Sequence, residues 1–355
     1  MGNRLYSDNS LVADIVEVLT AKLPSGWQTA TSKPSSRDKS ASGLVDAVLK
    51  IRRPGKPAGS VLIEVKARLE PKDVDYLAAT LRPTLDQPVL VAAPFISPRT
   101  QERLRASGFA YADLTGNVRL TLSEPGLFIE TTGAGENPEP TPRDRKSLKG
   151  PKAGRLIRAL CDFRPPIGLR DLAKRAVVDP GYASRVIDFL NREALVARTT
   201  RGPVKSVDWP ALLKRWSQEY SPFQRQLAAM YLAPRGLSAV IEKLKSTSVR
   251  FAVSGSWAAV QFAPVAPPRL LLVYVDKPAA IAGELDLRST DAGANVALAT
   301  PFDPVVYERT SKKRGITVAA LSQVAADLLT SPGRGPNEAE ALMEWMGEHE
   351  EAWRA

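Results

Sequence analysis

The sequence predicts a multidomain α/β protein. Three observations carry that expectation. At about 150 residues per domain, a chain of 355 residues makes two or three domains. Apolar residues alternate along some segments and recur at helical spacing along others, so strands and helices are interleaved. The formal net charge of +11 is uneven, because residues 151–220 carry +7 while residues 221–355 balance to zero. The expected divisions are 1–135, a linker over 136–150, 151–220 and 221–355.

Composition narrows the chemistry. Hydrophobic residues make up 44% and charged residues 25%, an ordinary globular balance. No apolar run reaches the roughly 20 residues of a membrane span. The opening Met1-Gly2-Asn3-Arg4-Leu5 leads into no apolar stretch of a secretory signal, so the expected compartment is the cytoplasm, with association to the nucleoid. Cys161 and His349 are single representatives of their types, which excludes Cys/His zinc sites and His-based triads. A metal would therefore rest on carboxylates, as Mg²⁺ or Mn²⁺ does.

Residues 8–23 fit an amphipathic helix capped from Ser7–Ser10. A Ser-rich loop over 31–42 precedes two strands, Leu44–Ile51 and Ser60–Lys66. Between them Pro54-Gly55-Lys56-Pro57-Ala58-Gly59 signals a hairpin. A turn centred on Gly55 sets Asp46 opposite Glu64, each nine residues away. Strand alternation puts Glu64 and Lys66 on one face, so two carboxylates and a lysine converge. Such a pair can hold Mg²⁺ against a phosphodiester, and the lysine can orient water or stabilise developing charge. Glu17 is a further ligand candidate. Helices at 71–82 and 97–107 and a strand at 88–93 follow. Asp113-Leu114-Thr115-Gly116-Asn117 is expected to be a structural turn with Asn117 left-handed. The Asp-x(n)-Glu-x-Lys pattern on a hairpin, in this order of elements, resembles the PD-(D/E)XK restriction-endonuclease superfamily over residues 8–130. Val45 stands where that family often has Pro. The resemblance implies a restriction-endonuclease-like α/β domain with Asp46, Glu64 and Lys66 catalytic and the first two on metal. The alternatives are a solvated charge cluster or a nuclease fold kept as a scaffold.

The middle segment predicts three helices and a basic hairpin. Leu156, Ile157, Leu160 and Phe163 set a helix over 151–163, stopped by Pro165-Pro166. A second helix fits 168–176 with Leu169, Leu172 and Ala173 inward. Asp179 can cap a third helix over 180–193, and Pro180 suits its first position. Strands Ala194–Ala197 and Val204–Trp209 flank the basic turn Arg198–Pro203. This is the order of a winged helix-turn-helix, whose third helix enters the major groove. Tyr182, Ser184 and Arg185 are the expected groove contacts; Arg192, Arg198, Arg201 and Lys205 the expected backbone contacts. The concentrated +7 charge suits a nucleic acid, although an anionic protein would answer the same charge.

After a linker near 221–236, Gly255-Ser256 precedes a strand, Arg269–Asp276. A Gly-Ser turn before a strand bearing two carboxylates is the nucleotidyltransferase pattern. Here Tyr274 takes the first carboxylate position and Asp276 alone remains, so a degenerate α+β domain without transferase activity is expected. A strand over 296–300 lies between turns at Asp291–Asn295 and Pro301–Pro304. Amphipathic helices are expected at Ala319–Thr330 and Asn337–Arg354. The motifs Val253–Ala259, Ala263–Arg269, Asp291–Val296, Pro301–Val306 and Ser322–Thr330, following a winged helix, resemble actinobacterial proteins of the AbiEi antitoxin-like group over 150–346. The resemblance implies a DNA-binding repressor that counters a nucleotidyltransferase toxin in a type IV toxin-antitoxin pair. The N-terminal region departs from compact members of that group. A homodimer is compatible with such a regulator, but no heptad repeat demands one. Two expectations stand: a regulator that recognises duplex DNA, or a Mg²⁺-dependent endonuclease targeted by the same helix.

Overall fold

A computed structural model describes residues 8–34, 43–82, 87–140, 147–199, 202–223, 228–290 and 292–355. It is a mixed α/β protein that divides into two compact units, Met1–Arg145 with Arg192–Ala194, and Lys146–Asn191 with Leu195–Ala355. No helix among the described residues is long and apolar enough to cross a membrane.

The first unit runs α1 (Asp8–Thr20), β1 (Gln28–Ser32), β2 (Ala47–Arg52), β3 (Ala58–Val65), α2 (Asp73–Leu81), β4 (Val89–Ala93), α3 (Pro98–Ala106), β5 (Ala110–Asp113), β6 (Val118–Leu122) and β7 (Leu127–Thr131). Its seven strands lie in sequence order. The central β3–β4–β5 pairs are parallel and the flanking pairs antiparallel. Successive residues of a strand face opposite sides, so β3 feeds two cores. Ile63 joins Leu11, Ile15 and Leu19 of α1; Leu62 joins Val74 and Leu77 of α2 and Leu104 of α3. Burial on both faces is why β4 reads as the continuous run Val-Leu-Val-Ala-Ala. The beginning of the expected Ser-rich loop is instead the end of β1, paired antiparallel with β2; residues 35–42 lie outside the described residues.

The turn after β5 is built on Asp113. Its carboxylate accepts hydrogen bonds from the backbone N–H of Ile96, Thr115 and Asn117 and from the Thr115 hydroxyl and Asn117 amide. The left-handed residue is Gly116, at φ +97°, and not Asn117 as expected. Glycine carries that conformation without a Cβ clash, and Asn117 is then free to bind Asp113.

The second unit runs α4 (Pro151–Asp162), α5 (Leu169–Arg175), α6 (Pro180–Arg192), β8 (Val196–Arg198), β9 (Val204–Val207), α7 (Trp209–Ser217), β10 (Ala228–Leu232), α8 (Gly236–Ser246), β11 (Phe251–Ser254), α9 (Gly255–Ala259), β12 (Leu271–Val275), α10 (Pro278–Glu284), β13 (Arg288–Ser289), β14 (Val296–Ala299), a 3-10 turn (Pro304–Tyr307), β15 (Ser311–Lys313), β16 (Ile316–Val318), α11 (Leu321–Leu329), α12 (Gly335–Glu348) and α13 (Glu350–Trp353). The larger sheet has the order β13-β10-β14-β12-β11-β16-β15, and β8 pairs with β9 in a separate ribbon.

Three elements differ from expectation. Trp209 opens α7 instead of ending a strand, because Asp208 caps it and Pro210 suits its first turn. The stretch expected as a linker contains β10, which pairs with β14. The helix expected to be amphipathic, α11, is buried on all sides: Ser322, Gln323 and Asp327 are as enclosed as Leu321, Val324 and Leu328. Its polar residues face buried partners on α4, on the sheet and at Tyr220, so burial does not follow hydrophobicity there.

One apolar core serves the whole unit. Leu156, Leu160, Ile187 and Trp216 belong to the same cluster as Val253, Val273, Leu298 and Leu342. Close approach is helped at Gly154, where a Cβ would lie 2.5 Å from the Phe302 ring. The helical segment and the sheet that follows it therefore share a core.

Candidate functional site

The β2–β3 hairpin brings its carboxylates together. Ala47 pairs with Ile63 and Arg52 with Ala58, and continuing this register by one residue sets Asp46 across from Glu64. The strand proper begins at Ala47, and Asp46 extends it at that end by two contacts: its N–H donates to the Ile63 carbonyl at 2.8 Å, and its Oδ2 accepts from the Val65 N–H at 2.8 Å. Asp46 is exposed and Glu64 is buried. The Lys66 ammonium binds the Glu64 carboxylate. Burial pushes the Glu64 carboxyl up, the neighbouring Asp46 pushes it the same way, and Lys66 opposes both.

Two adjacent carboxylates fit a Mg²⁺ ion that takes its remaining oxygens from water and phosphate. Among the described residues, no group of three or more His, Cys, Asp or Glu side chains is placed to hold a metal. Glu17 is exposed on α1 and does not supply such a third ligand.

The second cluster lies on α6 and the ribbon after it. Asp179 accepts from the Tyr182 N–H at 3.0 Å and so caps α6 at the expected place. The helix buries Ala183, Val186, Ile187, Phe189 and Leu190. Arg185 is exposed, while Tyr182 and Ser184 are half-buried. Tyr182 packs partly against the core, and its burial raises the phenol while nearby Arg185 lowers it. Arg192 is the last residue of α6 and is half-buried. Lys205 is exposed on β9. Arg198 lies in β8, not in a turn; its side chain is 9% exposed and approaches Asp188 at 3.7 Å. Expected as a free backbone contact, Arg198 is held against the fold by that carboxylate. Arg201 lies outside the described residues.

The region expected to resemble a nucleotidyltransferase uses its polar groups internally. Ser256 donates to Glu338, and Ser254 donates to Asp327 at 2.5 Å. Tyr274 is 1% exposed, and its hydroxyl donates to Asp327 at 2.8 Å beside Tyr220. Tyr220 and the Gln323 amide also donate to the same carboxylate. Burial pushes the Asp327 carboxyl up to about 6 against four donors that pull it down.

Gln323 extends the network to Arg158, which binds Asp162 at 3.0 Å and the carbonyl of Val305. Ser322 donates to Asp162 in turn. Sequence reasoning missed this network. Its members are scattered from residue 158 to residue 327, and their one sequence signal is polar residues inside an apolar helical run.

No family model, curated protein or solved structure matches the chain.

Proposed function

We propose that the chain is a DNA-binding regulator of the AbiEi antitoxin-like type. In this reading α4, α5, α6 and the β8–β9 ribbon act as a winged helix on duplex DNA. The supporting observation is α6: capped by Asp179, it buries five residues and leaves Arg185 in solvent near Tyr182. A helix so mounted can lay its N-terminal half in a major groove. Arg185 would meet a base edge there, with Tyr182 and Ser184 beside it. Lys205 of the ribbon, with Arg192, would meet phosphates, and Arg198 would position the ribbon through Asp188. The sheet of the second unit then serves as scaffold, since Tyr274, Ser254 and Ser256 are engaged inside the fold. The partners are duplex DNA and a nucleotidyltransferase toxin, and the consequence of binding is repression of transcription.

The test is a salt series of duplex affinities. Affinity falls by about one decade or more between 50 and 200 mM salt if several phosphates are neutralised. Arg185→Ala relaxes preference at one base position; a flat salt response removes the assignment.

The convergence of Asp46, Glu64 and Lys66 favours a second reading, a Mg²⁺- or Mn²⁺-dependent DNA endonuclease with a restriction-endonuclease-like domain. Asp46 and Glu64 would hold the ion, which would polarise the phosphate and activate water. Lys66 would release Glu64 and face the developing charge. Supercoiled DNA incubated with either metal distinguishes the readings. Nicking that Glu64→Ala/Lys66→Ala lacks supports the endonuclease. Equal DNA binding without cleavage leaves the hairpin a scaffold.

A further inference from the structure

The edge of the second unit's sheet carries a second cluster of cations. The strands β15 and β16 close through Arg314 and Gly315, both at positive φ, in a tight turn. Lys312 pairs across the hairpin with Thr317. Beside it lies a cleft of about 260 Å³ lined by Val249, Arg250, Phe251, Tyr307, Thr310 and Thr317. The Arg250 guanidinium lies over the Tyr307 ring, 4.0 Å from its centre, and Tyr307 is anchored by donating to Asp276 at 3.0 Å. Arg250, Lys312 and Arg314 are exposed, and none makes an ion pair among the described residues. This contrasts with neighbouring Lys243 and Lys245, which bind Asp286 and Glu242.

Lysines on an edge strand discourage strand addition, and β15 is an edge. That role would explain Lys312. It does not explain an unpaired arginine stacked on a tyrosine at the wall of a cleft with two threonines. A guanidinium fork and hydroxyls are the groups that hold phosphate oxygens. Three unpaired cations extending from the cleft along the hairpin exceed the charge of one phosphate and suit a succession of them.

We propose that this cleft and the β15–β16 hairpin form a second backbone contact for duplex DNA, with Arg250, Thr310 and Thr317 seating one phosphate and Lys312 and Arg314 its neighbours. The proposal rests on the DNA-binding reading of α6 and adds a surface outside the winged helix.

The test uses the full chain, a fluorescent mixed-sequence duplex and a salt series. Arg250→Gln/Lys312→Gln/Arg314→Gln is expected to bind about tenfold more weakly, with the slope of log affinity against log salt reduced by about 2–3. The charge-conserving Arg250→Lys/Lys312→Arg/Arg314→Lys variant is expected to keep both, which separates lost charge from lost structure. Unchanged affinity and slope in the glutamine variant overturn this inference and leave α6 as the DNA contact. A loss of affinity with unchanged slope also overturns it, since the damage is then not electrostatic. If inorganic phosphate raises the melting temperature of the parent but not of the glutamine variant, while duplex affinity is equal, the site takes a small anion and the proposal falls. If the parent binds no duplex, the α6 reading falls first and takes this contact with it.

Discussion

Asp327 is a buried carboxyl at the centre of the second unit's polar network. Its carboxyl is fully enclosed and raised to about 6, against about 3.9 in an unfolded chain. The folded state therefore binds more protons than the unfolded state between those values. Its contribution to stability is fully present below about pH 4 and is lost as pH rises through about 6. The size is on the order of 3 kcal/mol. Urea unfolding of the parent and of Asp327→Asn between pH 4 and 7 checks this. The difference in unfolding free energy between them is expected to shrink as pH rises; a difference independent of pH would refute the shift. Glu64 answers to the same physics with a cation attached. Lys66→Met removes the charge that opposes burial, so the Glu64 midpoint is expected to move further up, as a carboxyl-carbon NMR titration would report. An unmoved midpoint would mean that Lys66 is not its partner in solution.

Among the elements, α4 is held at its C-terminal end and in its middle by buried arginines. At its C-terminal end the Arg354 side chain donates to the carbonyls of Leu160, Cys161 and Phe163, which have no acceptor role left within the helix. In its middle, Arg158 is 1% exposed and binds Asp162, Gln323 and the carbonyls of Val305 and Glu308. Arg158→Met is expected to cost about 3–5 kcal/mol, because it strands the buried Asp162. Adding Asp162→Leu is expected to recover part of that loss. If the double variant is as unstable as the sum of the two singles, the pair is not coupled. The same helix was legible from Leu156, Ile157 and Leu160 alone. Its partner residues were not, since nothing local to 151–162 says that Gln323 and Val305 will lie against it.

The whole molecule has two separate sets of cores, one on each face of the first sheet and one shared across the second unit. Calorimetry is expected to resolve two unfolding transitions. Asp113→Ala strips five donors of their acceptor and is expected to lower one of them; Arg158→Met is expected to lower the other. A single transition that both variants shift equally would overturn that division.

Hydrophobic period and turn chemistry were enough to place the β2–β3 hairpin, its register through Gly55, the cap at Asp179 and the helices α4, α5 and α6. Each depends on neighbours within a few residues, or on a turn that counts residues symmetrically. Tertiary structure alone decided that β10 joins the sheet, that Arg198 is held by Asp188, and that α11 buries its polar residues. These outcomes depend on which distant groups meet. A buried Asp or Gln is stable only where donors and acceptors from other elements satisfy it, and spacing along the chain carries no record of those partners.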